Sequence, residues 1–181
     1  MPSFDELTRL GSPELIGHLA AGRPAAPELS KGEWQSLTEL VTGRVTRLEP
    51  ASGDPSWATC SDALDHVLAS AVASGVMTRH QRVVRSLNAS VAVLHRVPPD
   101  ASVPLLDPRG RTDLLFSELT MEPAEAAALA DGWQTKDIDV IRRLRQVKSL
   151  LNPALAMMRL VPGEFADARL ERWAAIQPRL P

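Results

Sequence analysis

The sequence predicts an all-α protein, an irregular multi-helix bundle of about eight or nine helices around a central antiparallel helical hairpin. Apolar residues recur at the spacing of an α-helix, and capping residues, glycines and prolines divide the chain into helix-length segments. The alternation that is typical of strands is nearly absent. Aromatic residues make up only 4% of the chain, so Leu, Ala and Val must fill the core. That composition favours closely packed helices over a β sandwich.

A chain of 181 residues suits a single helical domain, residues 1–181. The capping residues, glycines and prolines divide this domain into four parts along the chain. They are N-terminal helices in 1–48, the central hairpin in 55–97, an acidic loop region in 98–121 and C-terminal helices in 122–181.

The N-terminal part begins with two short helices. Ser3 and Glu6 have the spacing of a capping box, which predicts the start of the first helix, and Gly11 ends it. Ser12 before Pro13 predicts the start of the second helix. A third helix follows another capping pair and has its apolar residues on one stripe: Trp34, Leu37, Val41, Val45 and Leu48.

The central hairpin consists of two long helices joined by a short connection. The first arm follows Asp54-Pro55 and ends at Gly75. The second arm begins at the capping pair Thr78 and Gln81, and Pro98 stops it. Long helices joined by few residues usually pack antiparallel, so we expect this hairpin to be the centre of the architecture.

The C-terminal half is more irregular. Pro98–Arg111 is rich in Pro, Asp and Gly and predicts a loop, and Leu114–Phe116 fits either a helical turn or a short strand. Glu122-Pro123 starts an Ala-rich helix. A basic helix capped by Thr135 follows, and Asn152-Pro153 interrupts it. The apolar side of that basic helix is predicted to be Ile138, Ile141, Leu144, Val147 and Leu151.

Charge is distributed unevenly in this half. Residues 98–132 contain seven acids and two bases, whereas residues 133–151 contain five bases and two acids. Arg142, Arg145 and Lys148 recur every third residue and are expected to line one solvent side, opposite the Ile/Leu stripe. Neutralisation between the two segments is the simple interpretation, and a partner-binding surface is the functional one.

Trp173 is the fourth candidate for partner binding. It belongs to an amphipathic last helix with Phe165, Leu170 and Ile176. Such a helix fits the groove of another protein, or it packs on its own bundle. We include Trp173 with Arg142, Arg145 and Lys148 because tryptophan is enriched at interface hot spots.

A second basic group stands at the start of a helix. Arg79, His80 and Arg82 follow Thr78, where natural helices usually place acidic residues. An anion held by the backbone at residues 79–81 and by these side chains would offset the unfavourable charge. An acidic neighbour within the fold would do the same.

No catalytic set, metal site or cofactor motif is recognisable. The four histidines lack the spacing of a chelating pair on one helix face, and Cys60 has no partner for an internal disulfide. Cys60 fits a buried small apolar residue. Walker A and Gly-x-Gly-x-x-Gly sequences are missing. The turn Asp107–Arg111 carries two guanidinium groups, but a plain surface loop explains it as well.

The sequence predicts no membrane span and no secretory signal, so we expect a cytoplasmic protein, and the Ala, Arg and Pro usage suggests a bacterial gene. By elimination, the prediction is a non-catalytic accessory or regulatory protein that acts through protein–protein interactions. One alternative is a nucleic-acid-associated protein using Arg79, Arg82, Arg85, Arg142 and Arg145. The other is a ligand-binding protein or enzyme with a pocket between helices, using His80 or His95.

Overall fold

The computed structural model describes residues 3–22, 29–47, 56–96, 108–132, 137–161, 163 and 166–181. These residues form nine α-helices, a short 3-10 helix and no strand, which confirms the all-α prediction. The chain divides into two compact units, Met1–Leu106 and Asp107–Pro181. The single domain stays a prediction, because two compact units can belong to one domain or to two.

The first unit contains five helices. In chain order they are α1 (Phe4–Arg9), α2 (Ser12–Ala20), α3 (Lys31–Arg47), α4 (Trp57–Ala73) and α5 (Arg79–Leu94). The three predicted capping boxes are present, because each Ser or Thr hydroxyl accepts a backbone N–H and each Glu or Gln side chain accepts one in return. Local sequence therefore fixes where α1, α3 and α5 begin.

Helix α4 lies at the centre of this unit and contacts α2, α3 and α5. Its inward side chains are small or aliphatic and are at most 1% exposed: Cys60, Ala63, Leu64, Val67, Leu68 and Ala71. Small side chains let neighbouring helices approach closely on several sides. Helix α4 is thus the core of the first unit, and α2, α3 and α5 pack around it.

The turn between the two arms ends α4 with a Schellman motif. Gly75 adopts a φ of 69°, which costs glycine little because it has no Cβ. The Val76 N–H donates to the Ala71 carbonyl at 3.0 Å, and the Gly75 N–H donates to the Val72 carbonyl at 3.0 Å. These bonds satisfy carbonyls that the helix end would leave without partners.

Two arginines connect helices of this unit through helix-end carbonyls. Arg44 of α3 donates to the Leu10 carbonyl at 2.7 Å and to the Thr8 carbonyl at 3.4 Å. Arg96, just after α5, donates to the Thr46 carbonyl at 2.6 Å. Cations near helix C-termini are favourable because the helix dipole is negative there.

The second unit is built around one long helix. Its elements are α6 (Pro108–Glu118), α7 (Pro123–Gly132), α8 (Ile138–Leu160), α9 (Ala168–Ala174) and a 3-10 helix (Gln177–Arg179). Helix α8 contacts α6, α7, α9 and the 3-10 helix. The shorter elements therefore share one scaffold.

Two predictions about this unit are wrong. Residues 108–111, expected at the end of the loop Pro98–Arg111, form the start of α6, because Pro108 is compatible with a first helical turn. Leu114–Phe116 adopt the helical one of their two predicted alternatives, with Leu115 fully buried. Asn152-Pro153 does not interrupt the basic helix, which continues as α8 to Leu160. A proline inside a helix costs about 3 kcal/mol, and the buried residues on both sides of it offset that cost through packing.

Some predictions lie outside the described residues. These are the loop at 98–107, the capping role of Thr135, and the positions of Leu48, Trp133 and Phe165. Among the described residues, no helix is long and apolar enough to cross a membrane.

Candidate protein-binding face

Helix α8 carries a buried face and an opposite, accessible face. Leu144, Val147 and Leu151 are at most 2% exposed and pack into the second unit. On the other side the chain places six residues along one face, and we call them the basic–apolar face. They are Ile138, Ile141, Arg142, Arg145, Gln146 and Ser149, and they line an open cleft of about 460 Å³.

Ile138 is the most accessible large apolar residue among those described. Its side chain is 65% exposed, and Ile141 one turn later is only partly buried. Fully burying such a side chain contributes about 1.5–3 kcal/mol, and the second unit does not capture that energy here. Ile138 and the partly buried Ile141 together form the apolar part of this cleft.

The charges on this face are positive. Arg142 pairs with Asp139 at 3.2 Å, but both side chains are largely exposed and the bridge is weak. Arg145 forms no ion pair with any residue that the structure describes. None of the described residues that line the cleft is acidic. The face therefore offers positive charge beside an apolar patch.

Arg143 and Lys148 are used within the second unit. Arg143 pairs with Glu125 of α7 at 3.3 Å. The Lys148 ammonium donates to the Leu180 carbonyl at 2.7 Å, which holds the C-terminal segment against α8. Lys148 is thus partly buried and bonded within the second unit, whereas Arg142 and Arg145 are exposed, and partner binding by all three stays a prediction.

Trp173 also differs from its predicted role. Its side chain is only 2% exposed, and the neighbouring Leu170 is fully buried. The last helix, α9, therefore packs on its own unit. With its ring this deeply buried, Trp173 is a core residue of the second unit.

The geometry of α8 explains why Leu144, Val147 and Leu151 of the predicted apolar stripe are buried, whereas Ile138 is exposed. An α-helix turns about 100° per residue, so residues three apart drift by about 60° at each step. Ile138 and Val147 are three such steps apart and lie on opposite sides of the helix. Ile138 and Ile141 therefore share a face with Arg142 and Arg145, whereas the sequence prediction placed them opposite. Lys148 drifts away from Arg142 for the same reason.

At the predicted anion site of α5, one of the backbone N–H groups is already hydrogen-bonded within the helix cap. The Gln81 N–H donates to the Thr78 hydroxyl at 3.1 Å, so this amide is already bonded. Arg79 is exposed, whereas His80 is partly buried and interacts within the chain. The Arg82 Nε is buried without a hydrogen-bond partner in the described structure. The three side chains thus lie in different environments.

A second, smaller cavity of about 230 Å³ lies among α6, α7 and α9 in the second unit. Arg169 lines it, with its guanidinium 4.2 Å above the Phe116 ring. The same guanidinium pairs with Asp167 at 2.8 Å and with Asp113 at 3.3 Å, and Glu122 also lines the cavity. The carboxylates neutralise the positive charge of the Arg169 guanidinium, and the pair of Arg169 with Asp113 connects α9 to α6. The sequence did not reveal it, because Asp113 and Arg169 are far apart in the chain.

Reactive groups are not gathered into a site in the described part of the chain. Cys60 is 1% exposed, as predicted, and burial raises the pKa of its thiol to about 11. Within the described ranges, no three His, Cys, Asp or Glu side chains are grouped as metal ligands. His95 is exposed just beyond the end of α5 and is not among the described residues lining either cavity.

Comparison with protein-family models, with curated proteins and with solved structures gives no match for this chain.

Proposed function

We propose that this protein is a non-catalytic accessory or regulatory protein that binds another protein through the basic–apolar face of α8. The observation that carries the proposal is the exposure of Ile138 in a cleft whose described lining contains two exposed arginines. Protein interfaces combine apolar anchors at the centre with a polar rim, and arginine is enriched there. The opposite side of α8 is buried in the second unit, so this helix is held rigidly for binding.

The test is affinity capture of the full-length protein from its native host, followed by mass spectrometry. Wild type is compared with Ile138→Asp, which places a charge in the apolar patch. The matched control is Ala128→Asp, which adds the same charge at an exposed position on α7 of the same unit. Both variants should unfold at the wild-type temperature, because both positions are exposed.

We expect wild type and Ala128→Asp to recover the same stoichiometric protein partner and Ile138→Asp to lose it. Equal recovery by all three proteins would contradict the proposal. Nuclease treatment before capture separates the nucleic-acid alternative, because recovery that disappears with nuclease depends on DNA or RNA.

The nucleic-acid alternative has weaker structural support. Its two basic groups lie in different compact units, since Arg79, Arg82 and Arg85 belong to α5 whereas Arg142 and Arg145 belong to α8. The net charge of the whole chain is −2, which gives little attraction to phosphate. The isoleucines of the α8 face would also be left without apolar contacts on a phosphate backbone.

A further inference from the structure

We infer that the occupant of the basic–apolar face is an acidic amphipathic helix of the partner protein. This inference rests on the proposed function and adds the chemistry and shape of the bound segment. It follows from three features of the face: the spacing of its apolar residues, its charge and the groups that it offers to a bound backbone.

The apolar residues have the spacing that a bound helix recognises. Ile138 and Ile141 are one turn apart, and the six residues of the face extend to Ser149. The twelve residues from Ile138 to Ser149 span about 17 Å of helix, which matches about three turns of a second helix. Amphipathic helices bind such grooves through anchors spaced three or four residues apart.

The positive charge of the face favours a bound segment with negative charge. Arg145 lacks an ion pair among the described residues, and the bond of Arg142 to Asp139 is exposed and easily exchanged. Carboxylates that flank the apolar anchors of the partner would pair with both guanidinium groups. A second copy of this chain that docked through the same face would bring the same two arginines, and like charges at an interface are unfavourable.

The backbone requirement favours a helix over an extended peptide. An extended segment needs partners for its N–H and C=O groups, and strand edges usually provide them. The described residues of this protein form no strand, and the described residues that line the face all belong to α8. A helix satisfies its own backbone, so it needs only the side-chain contacts that the face provides.

Site-specific crosslinking identifies the occupant directly. The photoreactive residue p-benzoylphenylalanine replaces exposed Gln146 in the full-length protein, and the crosslinked segment is read by mass spectrometry in the native host. A second protein carries the same residue at Ala128 as a control. We expect Gln146 to capture a protein segment that is net negative and has apolar residues at three- or four-residue spacing.

A crosslink at Gln146 to nucleic acid, to a basic segment or to a second copy of this chain would overturn the inference. The absence of a crosslink above the Ala128 control would overturn it as well.

Charge reversal then separates this inference from the proposed function. The captured segment is synthesised as a labelled peptide, and its binding to the full-length protein is measured by fluorescence anisotropy. We expect Arg145→Glu to weaken binding about tenfold, and a peptide with its facing Glu changed to Lys to regain affinity for that variant. Binding of the original peptide should weaken as salt increases.

The two ideas fail differently in these measurements. If Ile138→Asp abolishes binding but Arg145→Glu and salt leave it unchanged, the face is the interface and the acidic helix is wrong. If neither variant alters binding, both the acidic helix and the proposed function are wrong.

Discussion

Trp173 is the residue whose burial most changes its expected role. We expect Trp173→Ala to lower the free energy of unfolding by about 3–5 kcal/mol, because removing a buried indole leaves a cavity. The exposed neighbour Arg172 is the control, and Arg172→Ala should change stability by less than about 0.5 kcal/mol. Urea unfolding followed by circular dichroism measures both. A loss of under about 1 kcal/mol for Trp173→Ala would place the ring outside the core.

At the residue scale, burial of the Cys60 thiol leads us to expect that the stability of the protein depends on pH. Burial raises the pKa of its thiol to about 11, above the value in the unfolded chain, so the folded state holds the proton more tightly. The resulting stabilisation is complete below the unfolded pKa of about 9 and disappears as pH rises through the folded pKa.

The measurement compares the free energy of unfolding of wild type and Cys60→Ala at several pH values. We expect the wild type to lose more stability than the variant between about pH 9 and 11. Native protein should also react slowly with a thiol reagent at neutral pH, since the thiolate is scarce and buried. Parallel pH curves for the two proteins would show that Cys60 does not cause the effect.

At the scale of elements, capping hydrogen bonds at the ends of helices contribute to the free energy of unfolding. In α5 the Thr78 hydroxyl accepts the Gln81 N–H at 3.1 Å, and the Gln81 side chain accepts the Thr78 N–H at 2.9 Å. We expect Thr78→Ala to cost about 1 kcal/mol, because one N-terminal amide loses its partner. Thr78→Ser keeps the hydroxyl and should be nearly neutral. Equal stability of Thr78→Ala and wild type in urea would show that water replaces this cap fully.

A capping residue also begins α9. The Asp167 carboxylate accepts hydrogen bonds from the Arg169 guanidinium and, at 2.8 Å, from the Arg169 backbone N–H, and these bonds lower the pKa of Asp167. Its stabilising effect is therefore present above the unfolded pKa and disappears as pH falls through the folded pKa. We expect Asp167→Asn, measured by thermal unfolding, to lower stability at neutral pH and to make less difference in acid. An equal difference at both pH values would contradict a role for the charge.

At the scale of elements, the sequence predicted helix starts more completely than it predicted the buried side of a helix. The capping pairs predicted three helix starts, because each depends only on residues three apart in the chain. Three-residue spacing placed Leu144, Val147 and Leu151 correctly on the core side of α8 but also assigned Ile138 to it, since a stripe with that spacing winds around the helix. Neighbours on α6, α7 and α9 select the side that contains Leu144, Val147 and Leu151.

The whole molecule has two compact units, and each has its own buried residues. We expect residues 1–106, produced alone, to give a helical circular dichroism spectrum and to unfold cooperatively, because α4 contacts α2, α3 and α5 within that unit. Leu64→Asp in the same fragment is the control and should abolish cooperative unfolding, because it buries a charge in the core. A fragment that lacks cooperative unfolding would indicate that the first unit needs the second to fold.

The sequence by itself determined the helical class, most helix boundaries and the burial of Cys60. These depend on short-range hydrogen bonds and on the helical repeat of apolar residues. Both involve residues that are close together in the sequence. Tertiary structure decided that Pro153 stays within α8, that Lys148 and Trp173 make contacts within the second unit, and that the helix face of Ile138, Arg142 and Arg145 is left accessible. Those outcomes depend on which side of each helix its neighbours cover, and packing between distant segments sets that choice.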